Sequence, residues 1–534
     1  MKTILDSNRE DFTLGRQLEK QAKLRGELSF IRMGNQDLTY DQFNRLVNQI
    51  ANGYAQRGIK RGDKVALMLP NSIEFLSSMF ALAKLGAISV PINTAYKADL
   101  LIHVLNSSDA CMLAVDVQWI DRIVQVQHQI PKIKKIVVKG FNEEMNKSSG
   151  LIKPMMNFIE MHHHSDLPPS VEVIVSEVQS ILFTSGTTGP SKGVEITQSH
   201  GLTAALGFIE FVKPTDEDII FCAMPLFHGV GFWRILAVLM IGAKAVIAER
   251  FSASQWWFQI KQSKATIGIG IFAIPSILLA QPFSTQDKNH SLRILTPAPS
   301  ALDHAMYERF GVHTVENYGG TEVGVCVGAP YDMTTPGSCG RARANFYEVK
   351  IFDELDVELA CGAIGEICVR SKVQYAITTG YYNDKKETIK AFRNGWFHTG
   401  DQGRFDEDGL LYFIDRSKDV VRRRGENISS FEVERVLNTH PSVLESAIIA
   451  IPSKLGEDDV KACIVLQHGA KLAHAEILDF CQERLPYFMI PRYLEILDGL
   501  PRTPTEKIEK YKLREQGITQ NTWDREKYGY SLIR

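Results

Sequence analysis

No apolar run in this sequence is long enough to cross a membrane. The longest, ILAVLMIGAKAVIA at 235–248, falls short of a span and carries Lys244. The opening residues, MKTILDSNREDF, lack the apolar core of a secretion signal. Its eight cysteines are scattered at 111, 222, 326, 339, 361, 368, 463 and 481 with no Cys-x-x-Cys pair, which points to a reducing, cytoplasmic setting. Charge of one sign is lacking too. Sixty Lys and Arg stand against 62 Asp and Glu for a net charge of -2, so no global field recruits nucleic acid or an anionic membrane. A soluble protein working on small molecules is expected. The HHH run at 162–164 sits among Ser165, Asp166, Pro168 and Pro169 and reads as a solvated loop, because successive residues rarely converge on one ion. There is no internal repeat.

Both standard nucleotide loops are missing as well. In TSGTTGPSKGVEIT, 184–197, Lys192 is followed by Gly193 rather than Ser or Thr, and Gly186 and Gly189 do not have the dinucleotide spacing. What the stretch does have is chemistry for polyphosphate. Glycines let backbone N–H groups converge on an anion, hydroxyls donate further bonds, and a lysine adds a point charge. A flexible linker has a similar composition. The apolar lead-in Ile181-Leu182-Phe183 and the apolar Val194 and Ile196 behind argue against one.

At 534 residues the chain exceeds one core and should form at least two domains. KVALMLP (64–70), a helix capped by Asn71 with Glu74 three residues on and ended by Gly86, and AISVP make a βαβ unit. Similar alternation through SILFTSG, AKAVIAE and LRILTPA predicts layered α/β sheets over roughly the first 330 residues. Past Asn345 the pattern turns to short strands, YEVKIFDE, GEICVRS and GLLYFIDR, as in a β-rich subdomain. After the charged RSKDVVRRRGEN a compact α+β unit follows. The expected domains are 1–417 and 418–534.

Seven stretches line up in order behind the opening loop: MPLFHGVGF, ENYGGTEVG, GEICVRS, GYYNDKKETIKAF, GWFHTGD, DRSKDVVRRRGEN and LPRTPTEKIEK. From about Leu38 to Lys512 the chain resembles the adenylate-forming superfamily, in its acyl-CoA synthetase branch, of crotonobetaine/carnitine-CoA ligase type. The resemblance implies an AMP-forming acid–thiol ligase using ATP, Mg²⁺ and coenzyme A: a carboxylate attacks the α-phosphate, pyrophosphate leaves, and a thiol then takes the acyl group from acyl-AMP. One alternative is an acyl-AMP ligase that loads a carrier protein; another is a nucleotide-binding scaffold without turnover. The expected partner is a small carboxylic acid. The oligomeric state is left open, a dimer included.

Residue by residue, the resemblance assigns Thr184, Ser185, Gly186, Thr187, Thr188, Gly189 and Lys192 to the β- and γ-phosphates. Ala298 and Tyr318 flank adenine, Thr321 bonds the α-phosphate, and Glu322 holds Mg²⁺. Asp401 and Arg416 hold the ribose, and Lys507 supplies charge in adenylation. Lys418 is the hinge, and Gly425 lies beside the pantetheine arm. His228, Gly229 and Val230 line the acyl pocket, where the small Gly229, Val230 and Gly231 leave room for a medium acyl or aryl group. The absence of an Asp near His228 argues against an α-amino acid. Arg422, Arg423 and Arg424 are candidates for coenzyme A phosphates, and Lys510 is a weaker stand-in for Lys507. The chain departs from the family in having Glu506 for a glycine, and Thr296 and Pro297 for a Gly-Gly pair.

Overall fold

The computed structural model describes residues 11–142, 150–184, 190–270, 274–416, 420–453, 456–502 and 508–532, without the side chains at 415, 416, 420, 427 and 431. Two compact units emerge: Met1–Thr94 with Leu105–Phe183 and Gly193–Asp415, and Ala95–Val104 with Thr184–Lys192 and Arg416–Arg534.

Two seven-stranded sheets dominate the first unit. One runs in the order His313–Thr314, Ile294–Thr296, Ile267–Ile269, Ile219–Cys222, Lys244–Ile247, Ser29–Met33, Gln36–Thr39, parallel throughout except for the last pair. The other runs Met155–Asn157, Lys135–Lys139, Met112–Asp116, Lys64–Met68, Ile88–Pro91, Val178–Thr184, Lys192–Thr197. Every residue of Met112–Asp116 is buried, as expected of parallel strands covered on both faces.

The helices Gln198–Val212 and Gly229–Ile241 are buried around most of their circumference and pack on each other. Phe43, Phe80 and Phe232 meet edge to face in the same core. The βαβ expectation holds, with Lys64–Met68 and Ile88–Pro91 parallel on either side of helix Ile73–Lys84. Its cap differs: Ser72, not Asn71, accepts the Phe75 N–H, because Asn71 is engaged elsewhere. The histidine run also departs from a loop, since Phe158–His163 forms 3-10 turns with His162 half-buried against Phe158.

The β-rich portion contains an antiparallel sheet of Tyr347–Phe352, Gly365–Ser371, Trp396–Phe405 and Phe392–Arg393, with Leu411–Arg416 also paired to Trp396–Phe405. A three-stranded sheet, Asn317–Gly320, Gly324–Gly328 and Arg341–Ala342, carries the YGGTE motif.

In the second unit, the hairpin Val420–Arg423/Glu426–Ser429 accompanies a four-stranded sheet of Val443–Pro452, Asp458–Leu466, Tyr493–Leu497 and Trp523–Asp524. Helices Ser430–Leu437, His474–Arg484 and Lys510–Gln516 complete it. All eight cysteines are free thiols, and among the described residues no helix is long and apolar enough to cross a membrane.

Candidate active site

Tyr318 ends its side chain on Asp401. The phenol, 7% exposed, donates to Asp401 Oδ2 across 2.9 Å, and Phe413 stacks beside it with ring centroids 6.3 Å apart. Burial, then the Asp401 charge, holds the Tyr318 phenol well above its ordinary range, so it stays a donor. Asp401 is fixed by its strand: its own N–H bonds Thr399 Oγ1 at 3.1 Å, and the Gly400 N–H donates to Glu366 Oε1 at 2.8 Å. The Gly365–Ser371 strand thus anchors the turn that presents Asp401.

Glu366 is itself the centre of a network. Its Oε2 lies 2.9 Å from His398 Nδ1 and 3.2 Å from Arg393 Nη2, and Cys368 Sγ stands 3.2 Å from the same His398 nitrogen. Among the described residues Glu366, Cys368 and His398 form the one cluster with metal-ligand spacing. The Arg393 guanidinium already supplies positive charge to that carboxylate, and Cys368 is buried with its thiol pushed well up by burial and by the Glu366 charge. The arrangement is that of a buttress behind Asp401.

Thr321 and Glu322 occupy the turn between Asn317–Gly320 and Gly324–Gly328, both half-buried. Tyr381 donates to Glu322 Oε1 at 3.1 Å, and the Thr378 N–H donates to the Glu322 carbonyl at 2.7 Å. Burial and the Glu322 charge drive the Tyr381 phenol far above its ordinary range. That tyrosine is held by the strand that leaves the opening loop: Val194 bridges Tyr381, Glu195 N–H bonds the Gly380 carbonyl at 3.1 Å, and Tyr382 N–H bonds the Gly193 carbonyl at 2.7 Å. A fixed carboxylate of this kind offers hard oxygen donors suited to Mg²⁺.

Thr184 ends one strand and Lys192 starts its neighbour in the sheet; Ser185, Gly186, Thr187, Thr188 and Gly189 lie outside the described residues, as do Lys418 and Lys507. The Arg416 side chain also lies outside them. Ala298 is fully buried, with its N–H on the Val315 carbonyl at 3.0 Å, three residues before Tyr318. Thr296 fills the place expected of glycine as a buried strand end, and its carbonyl accepts from Gly270 N–H at 3.3 Å.

His228 precedes helix Gly229–Ile241, with its N–H on the Pro225 carbonyl at 3.2 Å and its ring 4.7 Å from Phe227. Asn71 staples this loop. Its amide donates to the Met224 and Ala248 carbonyls, both at 2.9 Å, and its oxygen accepts the Leu226 N–H at 2.8 Å. The expectation that small residues leave room here is corrected at two positions. A Cβ on Gly229 would stand 2.9 Å from the Trp233 ring, and one on Gly231 would stand 2.5 Å from the Pro225 carbonyl oxygen. Both glycines serve close packing. Val230 is half-buried.

In the second unit Arg424 and Gly425 form a two-residue hairpin turn with φ of 54° and 80°. Positive φ at both positions is the type I′ geometry, which glycine adopts without strain. The Gly425 N–H points to both carboxylate oxygens of Glu457 at 3.2 Å, and burial raises that carboxyl.

The arginine triplet divides. Arg422 and Arg424 are exposed, but Arg423 is 3% exposed, donates to the Ile490 carbonyl at 2.9 Å and pairs with Asp459 at 3.0 Å. Arg423 is therefore a core residue rather than a phosphate ligand. Alternation along the strand turns it inward. Lys510 is likewise taken, bonded to Ser430 Oγ at 2.9 Å and Glu434 at 2.7 Å.

Tyr381, Glu366 and His398 had no assigned role in the sequence, although each falls inside a motif that marks the resemblance. Asn71 looked like a cap because its side chain suits one.

Comparison with known proteins agrees with this arrangement. Residues 18–382 match the AMP-binding enzyme family and 432–507 its C-terminal domain. The chain is 33% identical over 485 residues to crotonobetaine/carnitine–CoA ligase of Escherichia coli strain SE11, covering 89% of this chain and 93% of that protein. Among solved structures it is similar to a double mutant of o-succinylbenzoate CoA synthetase from Bacillus subtilis bound to a product analogue, at 25% identity and TM-score 0.80 over 95% of this chain and 99% of that one. It is also similar to an anthranilate CoA ligase in complex with anthranoyl-AMP, at 27% identity and TM-score 0.71 over 94% and 96%. With one family match covering well over half of its length, the chain belongs to the AMP-binding enzymes.

Proposed function

We propose that this protein is an ATP-dependent carboxylate–CoA ligase that forms an acyl-AMP with release of pyrophosphate and then passes the acyl group to coenzyme A. The observation that carries the reading is the Tyr318–Asp401 and Tyr381–Glu322 pairing within one unit of a family member whose curated relatives are CoA ligases. In this reading Tyr318 and Ala298 bound the adenine, and Asp401 with Arg416 accepts and donates to the ribose. Thr184, Lys192 and the residues between them hold the β- and γ-phosphates. Thr321 bonds the α-phosphate. Glu322 would hold Mg²⁺, which when bound offsets the repulsion between the incoming carboxylate and the triphosphate.

His228 and Val230 face the acid, and Gly229 lets the Trp233 ring pack against it. The 418–534 domain turns about Lys418 between half-reactions, Lys507 serving the first and Gly425 the second. A cytoplasmic location fits the free thiols.

The test is pyrophosphate release from ATP and Mg²⁺ across a panel of carboxylic acids, with and without coenzyme A. Acid-dependent release and thioester formation are expected. Adenylate without thioester in the presence of free coenzyme A would point to carrier-protein loading, and ATP binding without release with any acid would leave a scaffold.

A further inference from the structure

Arg234 is a buried cation with no carboxylate partner among the described residues. It lies on helix Gly229–Ile241, four residues and so one turn beyond Val230 on the same face. The residue is 1% exposed, and neither Nε nor Nη1 has a hydrogen-bond partner among the described residues. Its guanidinium carbon sits 5.2 Å from the centroid of the Phe208 ring. Other buried arginines have a carboxylate or carbonyl partner: Arg343 pairs with Glu210 at 2.6 Å, Arg423 with Asp459 at 3.0 Å, and Arg525 reaches the Ile490 and Pro491 carbonyls at 3.5 and 3.4 Å.

The ionisable groups acting on Arg234 do not help it. Cys222 is a thiol pushed by burial up to about 12 and hence neutral, while Arg343 repels it. Burial pulls Arg234 down to about 10, which leaves it cationic at neutral pH. A desolvated guanidinium over one ring face recovers only part of its lost hydration.

A second orphan lies close by. His200 is fully buried, both ring nitrogens lack partners among the described residues, and burial drops its pKa to about 3, so it is a neutral donor and acceptor. Its ring is 5.5 Å from that of Trp233, whose edge covers Gly229. A Cβ on Gly324, two residues past Glu322, would lie 3.4 Å from His200 Nε2. Packing contacts thus link the Glu322 turn to His200 and Trp233, and Arg234 follows Trp233 in the chain.

We infer that the acyl pocket runs along this helix from Val230 to Arg234, and that it takes a carboxylic acid bearing a second anionic group at its far end. The inference rests on the ligase reading of the same site and deepens it. A quaternary ammonium in that place would face an unneutralised guanidinium, so this chain does not share the substrate class named for its crotonobetaine/carnitine–CoA ligase relatives.

The experiment compares matched acids on the full-length protein with ATP, Mg²⁺ and coenzyme A: glutarate against pentanoate, adipate against hexanoate, phthalate against benzoate, with crotonobetaine alongside. At least one dianion is expected to exceed its monoanionic partner in kcat/KM by about tenfold or more, and Arg234→Met to lower that value roughly 100-fold with the KM for ATP unchanged. Arg234→Lys should keep part of the preference. Melting temperature without ATP is the second readout, with the same dianions raising it for the wild type and not for Arg234→Met.

Pyrophosphate release that favours monoanions or crotonobetaine, with no change in preference on Arg234→Met, overturns the inference and leaves the ligase reading standing. No release with any acid, yet Arg234-dependent stabilisation by a dianion, overturns the ligase reading and supports the anion subsite. Neither release nor stabilisation overturns both.

Discussion

The Tyr318 hydroxyl donates to Asp401 across 2.9 Å and joins the YGGTE motif to the HTGD motif, 83 residues apart in sequence. The bond is charge-assisted and largely buried, and removing such a donor typically costs about 1.5–3 kcal/mol. Tyr318→Phe is therefore expected to lower kcat/KM for ATP by roughly 10- to 100-fold while a saturating-ATP rate falls less. The variant should also discriminate less between ATP and 2′-deoxy-ATP, measured by pyrophosphate release. Unchanged discrimination would separate Asp401 from ribose recognition.

Tyr381 holds Glu322 in the same manner. Tyr381→Phe leaves the carboxylate without that donor at 3.1 Å, and the half-saturating Mg²⁺ concentration should rise several-fold, with kcat down about tenfold. A Mg²⁺ titration of initial rates checks it, and an unaltered titration would remove Glu322 from metal binding.

The two half-reactions should separate by mutation. Lys507→Ala is expected to slow adenylation by orders of magnitude, on the order of 10²-fold or more, while a supplied acyl-AMP still yields thioester. Gly425→Leu should do the reverse. Because Gly425 has φ of 80°, Gly425→Asn is the control: asparagine tolerates that conformation, so lost thioester output with Asn would come from the side chain and not from turn strain. Full output with Asn and none with Leu would reduce Gly425 to a turn residue.

Arg423 differs from its neighbours by facing inward. Arg423→Ala should destabilise the full-length chain by about 3 kcal/mol in urea unfolding, whereas Arg422→Ala should change it by less than about 0.5 kcal/mol. Equal effects at the two positions would contradict the burial pattern.

Glu432 gives the chain a pH-dependent weakness. It is 3% exposed, accepts the Ser191 N–H at 3.2 Å through Oε1, and leaves Oε2 without a partner among the described residues. Burial raises its carboxyl from 4.5 to about 7. The folded state thus binds a proton that the unfolded state has released, so stability falls as pH rises from about 4.5 to 7 and levels above that. Relative to Glu432→Gln, the wild type should lose on the order of 3 kcal/mol across this window. Parallel stability–pH curves for the two proteins would rule this out.

Much of the candidate site was legible in the sequence because the chemistry proposed for it is carried by residue type in short stretches. A carboxylate in HTGD and a tyrosine beside a carboxylate in YGGTE keep their meaning wherever the chain places them. Burial was harder to read. Three successive arginines look alike in sequence, yet strand alternation buries the middle one. Asn71 has the chemistry of a helix cap and spends it on three main-chain groups from residues 224, 226 and 248.

By itself the sequence determined the layered α/β class, the β-rich portion and the ordered motifs, since periodicity and local chemistry are properties of neighbouring residues. Tertiary structure alone decided that Tyr381 grips Glu322, that Glu366 braces Asp401, and that Arg234 is buried without a counter-ion among the described residues. Each depends on how distant segments meet and on which groups lose water there, and no local pattern encodes either.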